Sequence, residues 1–376
     1  MAAQNQLPDK MKALVLRSTS EPPAIETVPT PQPTLGSALV RVLAASVISY
    51  TRDVYNGKRN YPYPMPIIPG FSAIGRVVAV GPDATKLKPG DLVFIDCTVR
   101  SRDDPTDVFL AAVHESYTPG AAKLMKDVFR DWTFAEYCRV PLENMTLLDE
   151  RRLTGSRGDG GFGLGIEQLG FVAGVLVPYG GLRDIELRAG QTVVIAPASG
   201  PFGGAAVLVA LAMGARVIAM GRNTESLAYL KQKMPYPGRI ETVAITGDME
   251  ADCAELKKYG PIDAYFDIGP PEAYASTHIK SCILTLRHGA RISLMGGYRE
   301  DIPIPHVFIM HKNIRLYGKW MYEREDIVDL VKMVENGVLD LRTIENAGQF
   351  PLEQWKEAWD DAAEKTGFDQ LVVIKP

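Results

Sequence analysis

The amino-acid sequence predicts an α/β protein of two modules, a barrel-like β module first and a doubly wound parallel sheet second. Three observations carry this. Short β-branched runs punctuated by proline and glycine fill the first part. From Gln191 a strand, a glycine turn, a helix and a second strand follow within about 30 residues. The length of 376 residues leaves room for two domains at about 150 residues each.

In the first module Met11–Arg17, Ala38–Ala44 and Ala73–Val80 read as strands, separated by the breakers Pro29 to Pro33 and Pro69-Gly70. Lys88-Pro89-Gly90-Asp91 is a tight turn feeding a strand at Leu92–Ile95. Several short strands at this spacing suggest a barrel. The polar stretch from Asp96 to Trp132 and the glycine-rich Thr154 to Gly165 lack a hydrophobic period. Both are expected as long loops, either lids and binding segments or solvated insertions. In the second module Gln191–Ala196 is a buried strand, Ser199–Gly204 a turn, the run from Ala205 an apolar helix ending at Gly214 and Ala215–Met220 the next strand. Further strands are expected at Glu241–Ile245, Ala264–Ile268 and Ala290–Met295, amphipathic helices at Asp326–Gly337 and Pro351–Ala363, and a closing strand at Gln370–Lys375.

Hydrophobic residues make up 46% and charged residues 23%, which excludes a disordered chain, a collagen and a coiled-coil rod. The net charge is 41 − 45 = −4, and the basic residues form no run, so no nucleic-acid partner is expected. The four cysteines, Cys97, Cys138, Cys253 and Cys282, make neither a disulfide framework nor a C-x-x-C zinc motif. The opening MAAQNQLPDK has no apolar core of a secretory leader, and the longest apolar stretch, Gly203 to Ala215, is too short to span a bilayer. A soluble cytoplasmic protein with no membrane partner is the expectation.

The turn Ala198-Ser199-Gly200-Pro201-Phe202-Gly203-Gly204 lies between a strand and a helix N-terminus. Outward N–H groups and the helix dipole favour an anion there, and small residues let a pyrophosphate approach the backbone. Ser199, Gly200, Pro201, Phe202 and Gly203 are therefore candidate cofactor contacts. The turn departs from G-x-G-x-x-G at Pro197, Ser199 and Phe202, and its glycines would equally serve close helix–strand packing. The next strand ends Gly221-Arg222-Asn223 with no carboxylate for a ribose 2′-hydroxyl. Arg222 beside Asn223 instead suits the 2′-phosphate of NADP(H). The competing reading is an exposed arginine and a helix-capping asparagine.

With these pieces in order, the sequence resembles the medium-chain dehydrogenase/reductase superfamily across nearly its whole length. The resemblance rests on Val40-Arg41-Val42 with Ala45-Ser46-Val47, on Ile68 to Val78, on Gly81 with Lys88 to Val93, on Phe134-Ala135-Glu136-Tyr137, on the glycine turn and on Met295-Gly296-Gly297. It implies a GroES-like β-barrel substrate domain (1–170 and 321–376) interrupted by a Rossmann doubly wound domain (171–320), with hydride transfer in the cleft between them. Gly269, Gly296 and Gly297 fall where the family lines the nicotinamide ribose, and Lys319 to Tyr322 where it touches the nicotinamide end. Zinc-free relatives often dimerise through the Rossmann sheet edge, so a homodimer is expected by analogy.

The departures concern the metal. Where zinc alcohol dehydrogenases of the family have a cysteine, this chain has Ile48, and their G-H-E is Gly70-Phe71-Ser72. The four-cysteine structural lobe is missing too. A catalytic zinc needs three imidazole, thiolate or carboxylate donors, so no metal is expected. The charge forming on oxygen must then be met by a phenol or an ordered water. Tyr50 occupies the position of the family's proton relay, and Tyr61 closes the segment Gly57-Lys58-Arg59-Asn60-Tyr61, similar to the G-x-Y of metal-free enoyl reductases. Tyr50 is the first catalytic candidate and Tyr61 the second, with Tyr55 and Tyr63 still open. Each could instead be a packed ring in the wall.

These readings lead to a zinc-independent NADP(H)-dependent oxidoreductase acting on a small-molecule substrate. Hydride transfer to an activated C=C of an enone, enoyl thioester or quinone leads. Metal-free carbonyl reduction with tyrosine as proton donor follows, and a non-catalytic NADPH-binding sensor is the alternative from another class.

Overall fold

The computed structural model describes residues 7–376, so the reading of the first residues as leader-free lies, for residues 1–6, outside it. The chain divides into two units. One comprises the residues up to Ala173 together with Ile344–Thr366 and Gln370–Pro376, and the other comprises Gly174–Thr343 with Gly367–Asp369.

The first unit begins with β1 (Lys10–Val15), β2 (Ala24–Pro29), β3 (Ser37–Val47), β4 (Ala73–Val80) and β5 (Leu92–Ile95). It continues with β6 (Thr98–Arg100), β7 (Val108–Leu110), β8 (Tyr137–Pro141) and β9 (Met145–Leu147). The second unit holds β10 (Thr192–Ala196), β11 (Arg216–Gly221), β12 (Ile240–Ala244), β13 (Ile262–Asp267), β14 (Leu286–Leu294) and β15 (Arg315–Gly318). The chain then returns to the first unit with β16 (Glu345–Pro351) and β17 (Gln370–Lys375).

Strand β3 organises the first unit. One edge pairs antiparallel with β4, and the other is shared by β8 near its start and β17 near its end. The sheet order β16-β17-β3-β4-β5-β9 with β8 on β3 wraps around a core of Leu14, Val40, Val42, Val93, Phe109, Trp132, Phe134 and Trp359. The segment from 96 to 132 corrects the loop expectation. It folds as the β6–β7 hairpin and the helix Pro119–Asp127, whose first turn is capped by Thr118. Its Val99, Phe109, Val113, Met125 and Trp132 are buried. The apolar residues sit in elements of three residues or one short helix, too brief to leave a period against the charged background. Thr154 to Gly165 has one turn at Arg157–Asp159 and is otherwise irregular.

In the second unit the sheet runs β12-β11-β10-β13-β14-β15, every pair parallel, which is the order 3-2-1-4-5-6 of a dinucleotide-binding sheet. Its central strands are continuous apolar runs because helices cover both faces. The helix Pro201–Ala212 is apolar all round and buried from Gly203 to Leu211. This unit extends past 320, the boundary expected from sequence. The helix Arg324–Glu335 belongs to it, buries Ile327, Leu330 and Val334, and pairs Asp329 with Arg183 at 2.6 Å. Gly367–Asp369 also joins this unit, where Phe368 packs on Gly204 and Asp369 accepts from the Tyr229 hydroxyl at 2.7 Å. Among the described residues no helix is long and apolar enough to cross a membrane.

Candidate active site

In the second unit the candidate site is made of backbone. At the end of β10 the turn is tied to β11 by Ala198 N–H donating to Met220 O at 2.8 Å. Gly200 is extended, with φ −82° and ψ 174°, and no side chain caps the helix that follows. Pro201 begins that helix and has no N–H to lose, so the next N–H groups of the first turn form an open donor set. A Cβ on Gly200 would meet nothing within 4 Å, whereas one on Gly203 would lie 2.1 Å from Pro197 O. Gly203 is therefore demanded by packing and Gly200 faces open space. Ser199 Oγ lies beside Gly221 at the tip of β11. Arg222 follows, exposed, and among the described residues no carboxylate pairs with it. Asn223 accepts from Ser226 N–H at 3.0 Å as the cap of helix Thr224–Lys233; its side-chain oxygen is thus engaged in capping.

At the carboxyl ends of β13 and β14 lies a network that the sequence reading missed. Asp267, the last residue of β13, is 1% exposed. It accepts from the Tyr298 hydroxyl at 2.5 Å, the Tyr265 hydroxyl at 3.2 Å and Gly296 N–H at 3.2 Å. His278 Nε2 stands 3.6 Å from the same carboxylate, and its Nδ1 meets Ser276 Oγ at 2.7 Å. Burial and the neighbouring Asp267 raise the Tyr298 phenol well above its usual range. A Cβ on Gly269 would stand 2.0 Å from the Tyr298 hydroxyl, and one on Gly296 would strike Asp267 and the Tyr298 ring. Two of the glycines picked for a cofactor ribose thus have an internal reason to be glycine, and Gly297 alone of the three faces open space. The signal available in sequence was an aspartate inside the buried strand run AYFDI. Lys319 ends its path on Glu323 at 2.6 Å and Asp184 at 3.6 Å.

In the first unit the candidate site is made of side chains. Thr51 closes the end of β3 by exchanging hydrogen bonds with Ile48, its Oγ1 accepting from Ile48 N–H at 3.0 Å and donating to Ile48 O at 2.7 Å. That bend presents Tyr50 just before the short helix Thr51–Tyr55. Left-handed residues at Gly57 (φ 78°) and Asn60 (φ 52°) then turn the chain back, and Arg59 lands over the Tyr50 ring, 3.8 Å from its centroid. Arg59 Nη1 also donates to the Tyr61 hydroxyl at 3.0 Å, and the Tyr61 ring meets His114 edge-on at 4.9 Å. Burial, reinforced by Tyr61 and opposed by Arg59, raises the Tyr50 phenol well above its usual range. Burial lowers the His114 imidazole, whose Nδ1 accepts from Ser116 N–H at 2.9 Å.

The other tyrosines are committed elsewhere. The Tyr55 hydroxyl accepts from Gly70 N–H at 3.1 Å, shares its one proton between Gly70 O and Ala112 O, each at 3.2 Å, and its ring stacks on Trp359, while Tyr63 donates to Val54 O. At the positions where zinc relatives have ligands, Phe71 is buried among Tyr55 and Phe134, and Ser72 Oγ accepts from Cys97 N–H at 3.3 Å. Burial pushes the Cys97 thiol up to about 12. Among the described residues no three His, Cys, Asp or Glu side chains gather where they could hold a metal ion, so this donor set does not fit a catalytic zinc.

The sequence matches two families, the alcohol dehydrogenase GroES-like domain over residues 34–150 and the zinc-binding dehydrogenase over residues 201–336. It is 30% identical over 336 residues to an alcohol dehydrogenase of Rhizobium meliloti, covering 87% of this chain and 89% of that protein. An acryloyl-coenzyme A reductase of Metallosphaera sedula is 27% identical over 331 residues, 87% of this chain and 90% of its own. The fold matches a putative zinc-binding dehydrogenase from Sinorhizobium meliloti 1021, solved bound to NADP, with a TM-score of 0.77 at 19% identity over 98% of this chain and 100% of the other. The two family matches fall in this order along the chain, the relatives are covered over nearly their whole length, and the chain is an oxidoreductase that belongs to the medium-chain dehydrogenase/reductase superfamily.

Proposed function

We propose that this oxidoreductase is NADPH-dependent and zinc-independent, and that it transfers hydride to the activated C=C bond of an enone, enoyl thioester or quinone. The observation that carries the reading is the apolar pair Ile48 and Phe71 where zinc relatives have donors, together with a Tyr50 hydroxyl that has no hydrogen-bond partner among the described residues. Without a Lewis acid, simple alcohol oxidation lacks a stabiliser for its alkoxide, whereas a C=C acceptor delocalises its charge over an enolate. The acryloyl-coenzyme A reductase among the relatives supports the same class.

The open N–H groups after Gly200, with Ser199, suit a pyrophosphate, and Arg222 without a neighbouring carboxylate suits a 2′-phosphate. Bound there, NADPH supplies the hydride. Tyr50 keeps its proton at neutral pH because burial raises its phenol, so it donates a hydrogen bond to the substrate oxygen where charge collects. Metal-free carbonyl reduction is the second reading, favoured by the same unengaged hydroxyl, which would then protonate the alkoxide directly. Exposed Val307, Met310 and Trp320 and the unpaired edge of β15 support a homodimer through this face, to be checked by sedimentation.

The deciding experiment supplies NADPH deuterated at C4 with an α,β-unsaturated ketone. Label on the β-carbon is expected, and label on the carbinol carbon overturns the C=C assignment in favour of carbonyl reduction. Cofactor binding without consumption over a panel of enones, enoyl thioesters, quinones and carbonyls removes the enzymatic reading.

A further inference from the structure

Arg59 is half-buried, and no carboxylate of the described residues lies within ion-pairing reach of it. The acid nearest in sequence, Asp53, pairs with Lys58 at 3.6 Å. The guanidinium gives one hydrogen bond, from Nη1 to the Tyr61 hydroxyl, and its central carbon lies over the Tyr50 ring, 3.8 Å from the centroid. Among the described residues its Nε and Nη2 donors meet no acceptor. A partly desolvated cation supported by only an aromatic face and a neutral hydroxyl is under-compensated. Beside it the Tyr50 hydroxyl has no hydrogen-bond partner among the described residues, and His114, on the other side of Tyr61, adds no negative charge. The Nε and Nη2 pair forms a planar fork, the geometry that two oxygens of a carboxylate match.

We propose that Arg59 is the anion-binding residue of the substrate site and that the substrate is an α,β-unsaturated compound bearing a carboxylate. This rests on the reduction of an activated C=C proposed above. Tyr50 and Tyr61 hold the guanidinium in place, Tyr61 by accepting the Nη1 hydrogen bond, and the fork fixes the acid end of the substrate. Neutral enones lack that anchor and bind more weakly.

The first measurement needs no turnover. In protein labelled with ¹⁵N-arginine, the Nε–Hε signal of Arg59, identified by its loss in Arg59→Gln, is followed during titration with sodium acetate, sodium phosphate and sodium chloride at constant ionic strength. A saturable downfield shift with acetate is expected, with chloride leaving the signal in place and Arg59→Lys weakening acetate about tenfold. No shift, or a shift with phosphate and none with acetate, overturns the proposal. The second measurement compares trans-4-oxopent-2-enoate with its methyl ester. Arg59→Gln is expected to raise KM for the acid about tenfold or more beyond any change in KM for the ester. Equal effects on both overturn the proposal. If acetate binds at Arg59 but no enone is reduced, the C=C reading fails while the anion site stands. If both enones are reduced and Arg59 is silent to acetate, the anion site fails while the C=C reading stands.

Discussion

The candidate sites of the two units are built from different materials. In the Rossmann unit the donors are backbone N–H groups, set by one local sequence of strand, turn and helix. In the GroES-like unit the donors are side chains from separate places, Tyr50 at the end of β3, Arg59 and Tyr61 after a short helix, and His114 beyond β7. A backbone site tolerates most side-chain changes and fails where a Cβ intrudes. A side-chain site keeps its fold under substitution and loses its chemistry. That contrast yields predictions that differ in what should break.

The largest effect is expected from Tyr50→Phe, which removes a hydroxyl with no structural bond. Turnover should fall about 10²-fold or more while the melting temperature stays within about 1 °C of wild type. Full turnover in this variant removes Tyr50 from the mechanism. Next comes Gly203→Ala, whose methyl would sit 2.1 Å from Pro197 O. Denaturant unfolding should lose about 1–3 kcal/mol, whereas Gly200→Ala, with nothing within 4 Å, should leave stability alone and weaken NADPH binding. Equal stability losses in the two variants would sink the division between a packing glycine and a cofactor glycine. Tyr298→Phe is expected to cost about 1–2 kcal/mol, because the buried Asp267 loses its 2.5 Å donor. An unchanged unfolding curve would mean that the remaining partners of Asp267 suffice.

The smallest effect is a pH dependence centred on His114. Burial lowers its folded-state pKa below the unfolded value, so the unfolded chain takes up the proton first as the pH falls. The contribution is present above the usual histidine range and is lost on acidification through the folded pKa. Unfolding free energies from pH 8 to pH 5 should fall more steeply in wild type than in His114→Gln. Parallel curves would show that the ring's environment does not distinguish its two forms.

Much of the fold was legible in the amino-acid order because its signals are local. Leu92–Ile95, Thr192–Ala196 and Gln370–Lys375 announce strands through β-branched runs flanked by turns, and the helix Pro201–Ala212 announces burial by being apolar all round. The segment from 96 to 132 hid its core residues inside three-residue strands. The same locality explains the site. Gly200, Pro201 and Gly203 are neighbours in sequence and neighbours in the turn. Asp267, His278 and Tyr298 are separated by 11 and 20 residues, and no pattern couples them until β13 and β14 lie side by side.

By itself the sequence determined the two modules, most of the longer strands, the glycine turn and the absence of donors at positions 48 and 71, because each of these depends on residues within a few places of one another. Only the tertiary structure decided that Arg59 lies on Tyr50, that Tyr55 and Tyr63 are spent on backbone carbonyls, that Asn223 caps a helix, and that Gly269 and Gly296 make room for Tyr298. Those facts depend on which side chains meet after the chain has closed on itself, and hydrogen-bond partners at 2.5–3.2 Å are set by that closure rather than by spacing along the chain.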